Sequence, residues 1–294
     1  MNHCAFLSMD NLDDFECYDH LLFDPLQKKG WEIEEISWRD ANVNWNRFDV
    51  VVIRSSWDYQ QAPAAFLDTL REIDQSSAHL ENSLQLVEWN IDKTYLRDLQ
   101  NKGVEIVPTQ WHTQFDEHML ANAFEQFGRN EIIIKPTVSA NADDTFRIQY
   151  DEQQAYHEKL SAIFGDRPFL IQPFMNNIVA EGEFSVFFFD DTYSHTILKT
   201  PASEDFRVQE EHGGTLQLVE KPEETLIRSA RKLLNALPST PLYSRMDYVR
   251  TPQNTFALME LELIEPSLYF NMDSASPERF ANVFEDRMNA QFSG

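Results

Sequence analysis

Two carboxylates near the C-terminus have the type and spacing that metal or phosphate chemistry requires. The segment TFALMELELI (255–264) has the two-residue period of a β-strand, which predicts that Glu260 and Glu262 lie on one face with Leu258 and Ile264. The opposite face is predicted to hold Met259, Leu261 and Leu263. The two carboxylates are therefore expected side by side on an otherwise apolar strand.

A third acid comes from the preceding segment, YSRMDYV (243–249), which we expect to form a hairpin with this strand. With the turn centred on residues 252–253, Asp247 is predicted opposite Leu258 and diagonal to Glu260. Burying such acids without cations would be costly, and a hard divalent ion with oxygen ligands suits them. The natural candidate is Mg²⁺.

The alternative is that this face is a solvated sheet edge without a ligand. Arg245 would then lie roughly opposite Glu260 and neutralise one charge. Two lysines argue for a ligand, since Lys93 at a helix start and Lys135 at the end of EIIIKPT (131–137) could each place an ammonium against phosphate oxygens.

The first ninety residues read as an α/β unit. FDVVVI (48–53) is a β-branched run typical of a strand covered on both faces, and PAAFLDTLREID (63–74) has helical spacing after a proline. The polar segment RSSWDY (54–59) lies between them, at the carboxyl end of the strand. Open α/β sheets bind their ligands at that end.

The remaining elements alternate strands with helices. A helix with a glycine stop and a short strand are predicted within 90–109, a strand within 167–175 and a helix over 222–237. EFSVFFF (183–189) and YSHTILKT (193–200) are predicted to form a hairpin across Asp190 and Asp191.

Composition excludes several classes of function. The 294 residues carry 24 basic and 49 acidic side chains, a formal charge of −25, which repels a polyphosphate backbone and argues against nucleic-acid binding. Hydrophobic residues make up 42%, enough for a folded core, yet no stretch approaches the roughly 20 apolar residues of a membrane span. The two cysteines suggest a reducing compartment, and we expect a cytoplasmic protein without membrane partners.

The order of these motifs resembles the ATP-grasp ligases, in the branch of glutathione synthetase and D-alanine–D-alanine ligase. It runs through IIIKPT, the loop VSANADDT (138–145), FLIQPFM, EGEFSVFFFDD (181–191), RMDYV and MELELIEPS (259–267). The N-terminal VVIRSSWDY and VEWNIDKTYL resemble more closely the O-ureido-serine cyclo-ligase of cycloserine biosynthesis and its relatives.

The resemblance implies an α/β (α+β ATP-grasp) fold in three parts. They are an N-terminal Rossmann-like pre-ATP-grasp domain (1–88), a central subdomain with a phosphate-covering lid (89–170) and a C-terminal subdomain with the metal site (171–294). The last two would clasp ATP.

The same resemblance implies a site. The nucleotide-binding side chains would be Lys93, Lys135, Ser139, Gln172 beside the adenine, Phe174, and Glu183 on the ribose hydroxyls. The Mg²⁺ ligands would be Asp247, Glu260 and Glu262. Two positions depart from the family: the lid (136–145) contains no glycine, leaving Ser139, Ala140 and Ala142, and Glu262 stands where the family often has Asn.

The implied reaction is the attack of a carboxylate on the γ-phosphate of ATP, followed by displacement of phosphate by an amine. A small amino-acid or dipeptide-like substrate is expected. The acceptor carboxylate would be held by Arg207 first and Lys199 second, beside Gly213 and Gly214 of a substrate loop (204–215). From the N-terminal domain, Arg54 would grip a substrate carboxylate in bidentate fashion, with Ser55, Trp57 and Asp58 beside it, although Trp57 could equally pack under the loop.

Several functions stay open at this point. The ligase could join two molecules or cyclise one amino-acid derivative. A nucleotide-binding protein without ligase activity and a metal-dependent hydrolase built on the acids are the other classes. A homodimer through the first domain is compatible with all of them.

Overall fold

A computed structural model describes residues 1–13, 15–139, 143–202, 207–208 and 213–293 of the chain. Within these residues three β-sheets are packed with helices around one central cavity. The strands are β1 Asn2–Ser8, β2 Trp31–Ser37, β3 Val50–Ser55, β4 His79–Glu81, β5 Gln110–His112, β6 Glu131–Pro136, β7 Phe146–Gln149, β8 Phe169–Pro173, β9 Glu183–Phe189, β10 Thr192–Thr200, β11 Thr215–Leu218, β12 Tyr243–Arg250 and β13 Phe256–Glu262. The α-helices are α1 Phe23–Lys28, α2 Pro63–Asp74, α3 Leu84–Asn90, α4 Tyr95–Asn101, α5 Met119–Phe127, α6 Gln153–Phe164, α7 Asn177–Ala180, α8 Glu224–Leu234 and α9 Ser276–Phe292.

The N-terminal sheet is parallel, with the strand order β2-β1-β3-β4. Every residue of β3 is buried, as the β-branched run predicts for a strand covered on both faces. Helix α2 spans the predicted residues, begins at Pro63 and buries Phe66, Leu70 and Ile73. The mixed α/β character expected of this unit is confirmed.

The second sheet is antiparallel, in the order β5-β8-β6-β7. Along β6, Ile132 and Ile134 enter a hydrophobic core under helices α5 and α6, while Ile133 and Lys135 face the cavity. Strand β8 pairs with β6 over its whole length, so the expected boundary after residue 170 falls inside a strand of this sheet.

The third sheet is antiparallel, in the order β11-β10-β9-β12-β13, and contains both predicted hairpins. Its central strand β9 is buried throughout. Phe187 and Phe189 pack into a core shared with the N-terminal sheet and α9, whereas Phe184, Val186 and Phe188 pack under α4 and α8. This two-sided burial fixes the orientation of the sheet.

Helix α9 was not predicted, and it connects the two ends of the chain. Phe280 and Phe284 pack in the core that includes β1, β3 and β9, and the Phe284 ring lies 4.9 Å from that of Trp31. None of the described helices combines the length and apolarity needed to cross a membrane.

The predicted register of the β12–β13 hairpin is wrong by one residue from the turn onward, and a β-bulge shifts it by one more residue. Arg250 pairs with Phe256 and Tyr248 with Leu258, but Asp247 pairs with Glu260, which leaves Met259 as the extra residue. Leu258 therefore shares the core with Leu261 and Leu263, and Met259 and Glu260 both line the cavity. Arg245 lies opposite Glu262 rather than Glu260.

Asn82 ties the N-terminal unit to the third sheet. Its buried side chain donates to the carbonyls of Tyr243 (3.0 Å) and Leu263 (2.7 Å) and accepts from the Leu242 amide (2.6 Å). A buried backbone group without a partner is costly, so this one amide satisfies three groups at the junction.

We predict that Asn82→Ala lowers the free energy of unfolding by about 2–5 kcal/mol, because it leaves buried backbone groups unpaired. Urea unfolding followed by tryptophan fluorescence measures the change. The control is Asn282→Ala on the exposed face of α9, which should change stability by no more than about 0.5 kcal/mol. Equal effects of the two substitutions would contradict the role assigned to Asn82.

Candidate active site

A cavity of about 220 Å³ lies where the three sheets meet. Its walls come from the loop after β1, the loop after β3, strands β6 and β8, and the β13 segment with the residues that follow it. The residues implied for the nucleotide that line this cavity are Lys93, Lys135, Ser139, Gln172, Phe174 and Glu183. The structure therefore brings that whole set together.

One part of the cavity wall comes from β8 and the residues after it. The Gln172 amide donates to the Thr109 hydroxyl at 2.9 Å, which fixes its side chain at the cavity wall. The Arg147 guanidinium lies 3.8 Å from the centre of the Phe174 ring. Apolar side chains with one fixed amide suit the purine base that the sequence implied here.

The two predicted lysines converge on Glu260. Lys93 Nζ lies 3.0 Å from one Glu260 oxygen and also donates to the Ser139 carbonyl at 2.6 Å, and Lys135 Nζ lies 3.9 Å from the other oxygen. Burial lowers the pKa of Lys135, and the charge of Glu260 opposes this shift only in part. Burial alone would raise the pKa of Glu260, but the two ammonium groups outweigh it and the pKa is lowered.

Arg245 holds the other two predicted acids. Its guanidinium contacts Glu262, lies 3.1 Å from Asp247 and donates to the Ser267 carbonyl at 3.4 Å. Ser185 donates to the second Asp247 oxygen at 2.5 Å. Burial raises the pKa of Glu262 to about 7. Arg245 lowers this pKa, but the charges of Asp247 and Glu260 raise it further.

Lys199 lies behind the cavity wall and does not line the described cavity. Its Nζ contacts Glu183 at 2.5 Å and Asp247 at 3.4 Å. Burial alone would lower the pKa of Lys199, but the carboxylates of Asp247 and Glu183 outweigh it and raise the pKa. The position of Lys199 does not match the expected contact with a substrate carboxylate, because its ammonium group is already neutralised by two protein acids.

The acids offer hard oxygen donors at one edge of the cavity, which fits Mg²⁺. Glu260 and Glu262 line the cavity and keep 31% and 24% of their side chains exposed, whereas Asp247 lies behind Arg245. Among the described residues, no three His, Cys, Asp or Glu side chains form a closed metal cage. Mg²⁺ commonly takes only one or two carboxylates and completes its shell with phosphate oxygens and water.

Of the substrate-binding residues expected at the end of β3, some line the cavity and others are buried behind its wall. Trp57 lines the cavity, and its ring centre lies 5.3 Å from that of Phe15 with the two planes tilted by 43°. Its indole N–H donates to the Glu265 carbonyl at 2.8 Å. Arg54 is buried at 1% exposure, pairs with Asp19 at 2.8 Å and donates to the Pro266 carbonyl at 3.1 Å.

The expectation that Arg54 binds substrate therefore does not match its position, because a buried guanidinium needs a carboxylate and Asp19 already supplies one. Ser55 is buried within β3. Asp58 points away from the cavity, accepting from the indole of Trp38 and the guanidinium of Arg39, both at 2.7 Å.

Arg207 lines the cavity, as expected of a residue that meets a substrate. Gly213 and Gly214 precede β11 and are not among the residues of the described cavity wall. Residues 203–206 and 209–212 of the substrate loop, and Ala140 and Ala142 of the lid, lie outside the described residues.

Several residues of the cavity wall were not predicted from the sequence. Arg245 was expected only as a counter-ion on a solvated face, although its spacing of two from Asp247 on one strand places both on one face. Glu265 and Tyr59 lie in segments that the sequence indicated, but each follows the end of a strand, so the direction of its side chain depends on tertiary contacts.

The residues after β13 are positioned by side chains. Five consecutive carbonyls, at residues 264–268, each accept a hydrogen bond from a side chain of another element. The donors are, in order, Tyr243 at 2.8 Å, Trp57 at 2.8 Å, Arg54 at 3.1 Å, Arg245 at 3.4 Å and His195 at 3.1 Å. This stretch, called the anchored segment below, forms one wall of the cavity.

We predict an unusual pH dependence of stability from Glu265. Its burial, with the neighbouring Glu262, raises its pKa to about 8. The folded chain holds this proton more tightly than the unfolded chain, so the stability it contributes is complete below about pH 4 and is lost as the pH rises through about 8. Glu265→Gln should therefore gain stability relative to wild type between pH 5 and pH 8.5, by roughly 2–4 kcal/mol.

Urea unfolding at three pH values, without nucleotide or metal, tests this expectation. The same experiment with Glu125→Gln, an exposed acid of α5, is the control and should run parallel to wild type. If the free energy of unfolding of Glu265→Gln also changed with pH in parallel with that of wild type, the Glu265 carboxyl would ionise normally.

Comparison with known proteins identifies the architecture. Residues 4–82 match the family described as D-cycloserine synthetase DcsG, N-terminal domain. The cycloserine biosynthesis protein DcsG of Streptomyces lavendulae is 27% identical over 281 residues, 91% of this chain and 92% of that protein. The crystal structure of D-cycloserine synthetase DcsG superposes with a TM-score of 0.85 at 25% identity, covering 98% of this chain and 100% of the other.

A more distant structure shares the same fold. The D-alanine–D-alanine ligase of Bacillus anthracis in complex with ATP superposes with a TM-score of 0.71 at 13% identity over 100% of both chains. The α+β fold expected from the motif order is thereby confirmed. The chain therefore has the α+β fold of the ATP-grasp ligases.

Proposed function

We propose that the chain is an ATP- and Mg²⁺-dependent ligase that activates the carboxylate of a small amino-acid-like substrate for attack by an amine. The observation that supports this best is the meeting of Lys93, Lys135, Glu260 and Glu262 in one cavity between the sheets. Ammonium groups and hard oxygen donors side by side are what a triphosphate with its metal requires.

In the first step a substrate carboxylate oxygen attacks the γ-phosphorus, the bond to the bridging oxygen breaks, and ADP leaves. In the second step the amine nitrogen attacks the acyl carbon, inorganic phosphate leaves with the C–O electron pair, and the nitrogen loses a proton. No covalent bond to the protein is needed. The protein supplies position and compensating charge.

The nucleotide-binding roles follow from the cavity. The purine is assigned to the slot of Gln172 and Phe174, and Glu183 to the ribose hydroxyls. The ammonium groups of Lys93 and Lys135 are assigned to phosphate oxygens, so that Glu260 exchanges these partners for the metal when nucleotide binds.

Mg²⁺, held by Glu260 and Glu262 with Asp247 behind them, would neutralise phosphate charge and polarise the γ-phosphate. Arg245 orients both Asp247 and Glu262 through its guanidinium. Arg207 is the assigned cation for the substrate carboxylate, because it lines the same cavity. Trp57 and the anchored segment close the opposite wall.

A second candidate reaction is intramolecular. Similarity to D-cycloserine synthetase over nearly the whole chain favours a cyclising ligase, in which the activated carboxyl and the nucleophilic nitrogen belong to one amino-acid derivative. A nucleotide-binding protein without ligase activity is the remaining alternative. Homodimer formation and a cytoplasmic location stay predictions.

The decisive experiment is phosphate release from ATP and Mg²⁺ with a panel of amino acids, dipeptides and O-ureido-serine of both configurations. A ligase releases phosphate only with a suitable carboxylate and nitrogen nucleophile, and mass analysis shows a product lighter by one water. A product with the mass of one substrate molecule minus one water identifies the cyclising reaction, whereas two joined molecules minus one water identify the intermolecular reaction. Phosphate release that no added substrate changes would exclude both ligase reactions.

We predict that Glu260→Gln lowers kcat for ATP turnover about 100-fold or more while the fold is retained, because the amide binds Mg²⁺ far less well than the carboxylate. Steady-state kinetics measures the loss and circular dichroism the fold. Glu125→Gln, an exposed change on α5, is the matched control and should retain wild-type kinetics. Wild-type turnover in Glu260→Gln would refute the metal assignment.

A further inference from the structure

Glu265 contributes a carboxyl group to the cavity wall. It lines the cavity, its exposure is only 9%, and within the described residues its side chain forms no ion pair. A buried carboxylate in this position gains from a cationic ligand.

The cations nearest to Glu265 already have other partners. Lys93 is bound to Glu260 and to the Ser139 carbonyl, and Arg245 to Asp247 and Glu262. Both lower the pKa of Glu265, but burial and the charge of Glu262 outweigh them and raise it to about 8. The carboxyl group of Glu265 is therefore left at the cavity wall without an ion pair to any described residue, and a cationic ligand there would stabilise its ionised form.

The backbone around Glu265 is fixed before any ligand binds. Its own carbonyl accepts from Trp57, the next from Arg54 and the one after from Arg245. A ligand group that binds this carboxylate does not have to order the segment. Little of the binding free energy is therefore lost to the entropy cost of ordering the backbone.

Aromatic side chains share the cavity with Glu265. Trp57, Tyr59 and Tyr269 line the same cavity. Burial raises the pKa of Tyr59, and the charge of Glu265 raises it further. A carboxylate and aromatic rings in one cavity are groups that together can recognise an ammonium group.

We propose that Glu265 binds the ammonium group of a small zwitterionic amino-acid substrate, at the end of the cavity formed by Trp57, Tyr59 and the anchored segment. This proposal rests on the proposed function, and it deepens that function by assigning the substrate class. Glu265 thereby distinguishes amino acids from the corresponding hydroxy acids.

The test measures binding to the enzyme saturated with Mg²⁺ and a non-hydrolysable ATP analogue. The probes are matched pairs that differ only in the amine, alanine with lactate and serine with glycerate, each in both configurations. We expect wild type to bind the amine of at least one pair about 10- to 100-fold more tightly than its hydroxy partner, the effect of one charge-assisted hydrogen bond. Titration calorimetry gives both dissociation constants.

In Glu265→Gln the preference for the amine should fall to less than about threefold, while the ATP analogue binds within about twofold of wild type. Glu265→Asp, which keeps the charge, should restore part of the preference. Glu16→Gln, which removes an exposed carboxylate from the same cavity, should leave the preference as in wild type.

Each other outcome overturns the assignment. If Glu265→Gln keeps the wild-type preference, or if Glu16→Gln removes it, the ammonium site is not at Glu265. A weaker Mg²⁺ dependence of analogue binding in Glu265→Gln, with the preference intact, would make Glu265 a metal ligand instead. If wild type binds the ATP analogue but no amino acid, only this inference fails, whereas no analogue binding at all refutes the proposed function as well.

Discussion

Arg245 and Lys199 lie between carboxylates that would otherwise repel one another inside the protein. Arg245 holds Asp247 and Glu262, and Lys199 holds Asp247 and Glu183. Charges removed from water are tolerated only when they are paired and hydrogen-bonded, so each member of this network depends on the others. The buried strand β9 and its neighbours supply the rigid frame that keeps these pairs in register.

The β-bulge of β13 also brings two carboxylates together that must be paired with cations. It places Glu260 directly opposite Asp247, a like-charge pair that would be unfavourable without compensation. Lys93 and Lys135 approach Glu260 from the central sheet, and Arg245 covers Asp247 from its own strand. Glu260 and Asp247 are therefore charge-balanced before a ligand arrives, and a nucleotide with its metal can exchange partners with groups that are already in place. Preorganised charge of this kind is what phosphoryl transfer requires.

The anchored segment shows how distant parts of the chain act on one wall. Its carbonyls at 264–268 are bound by side chains from β3, the loop after β3, β10 and β12. Arg54, which sequence reasoning placed in the substrate pocket, instead supports this wall from behind with Asp19. Its effect on a ligand is through position, since it makes the direction of Glu265 a property of the fold.

Local pattern was enough to determine much of this protein. The spans of α2 and β9, the two hairpins, the acids of the C-terminal hairpin and the lysines that meet them were all predicted from the sequence, because burial period and residue chemistry are local properties. What only the tertiary structure decided was the bulge at Met259, the burial of Arg54 and Lys199, and the exposure of Glu265 to the cavity. Each of these depends on partners more than ten residues away in the sequence, and a one-residue shift in register reverses the face that a side chain occupies.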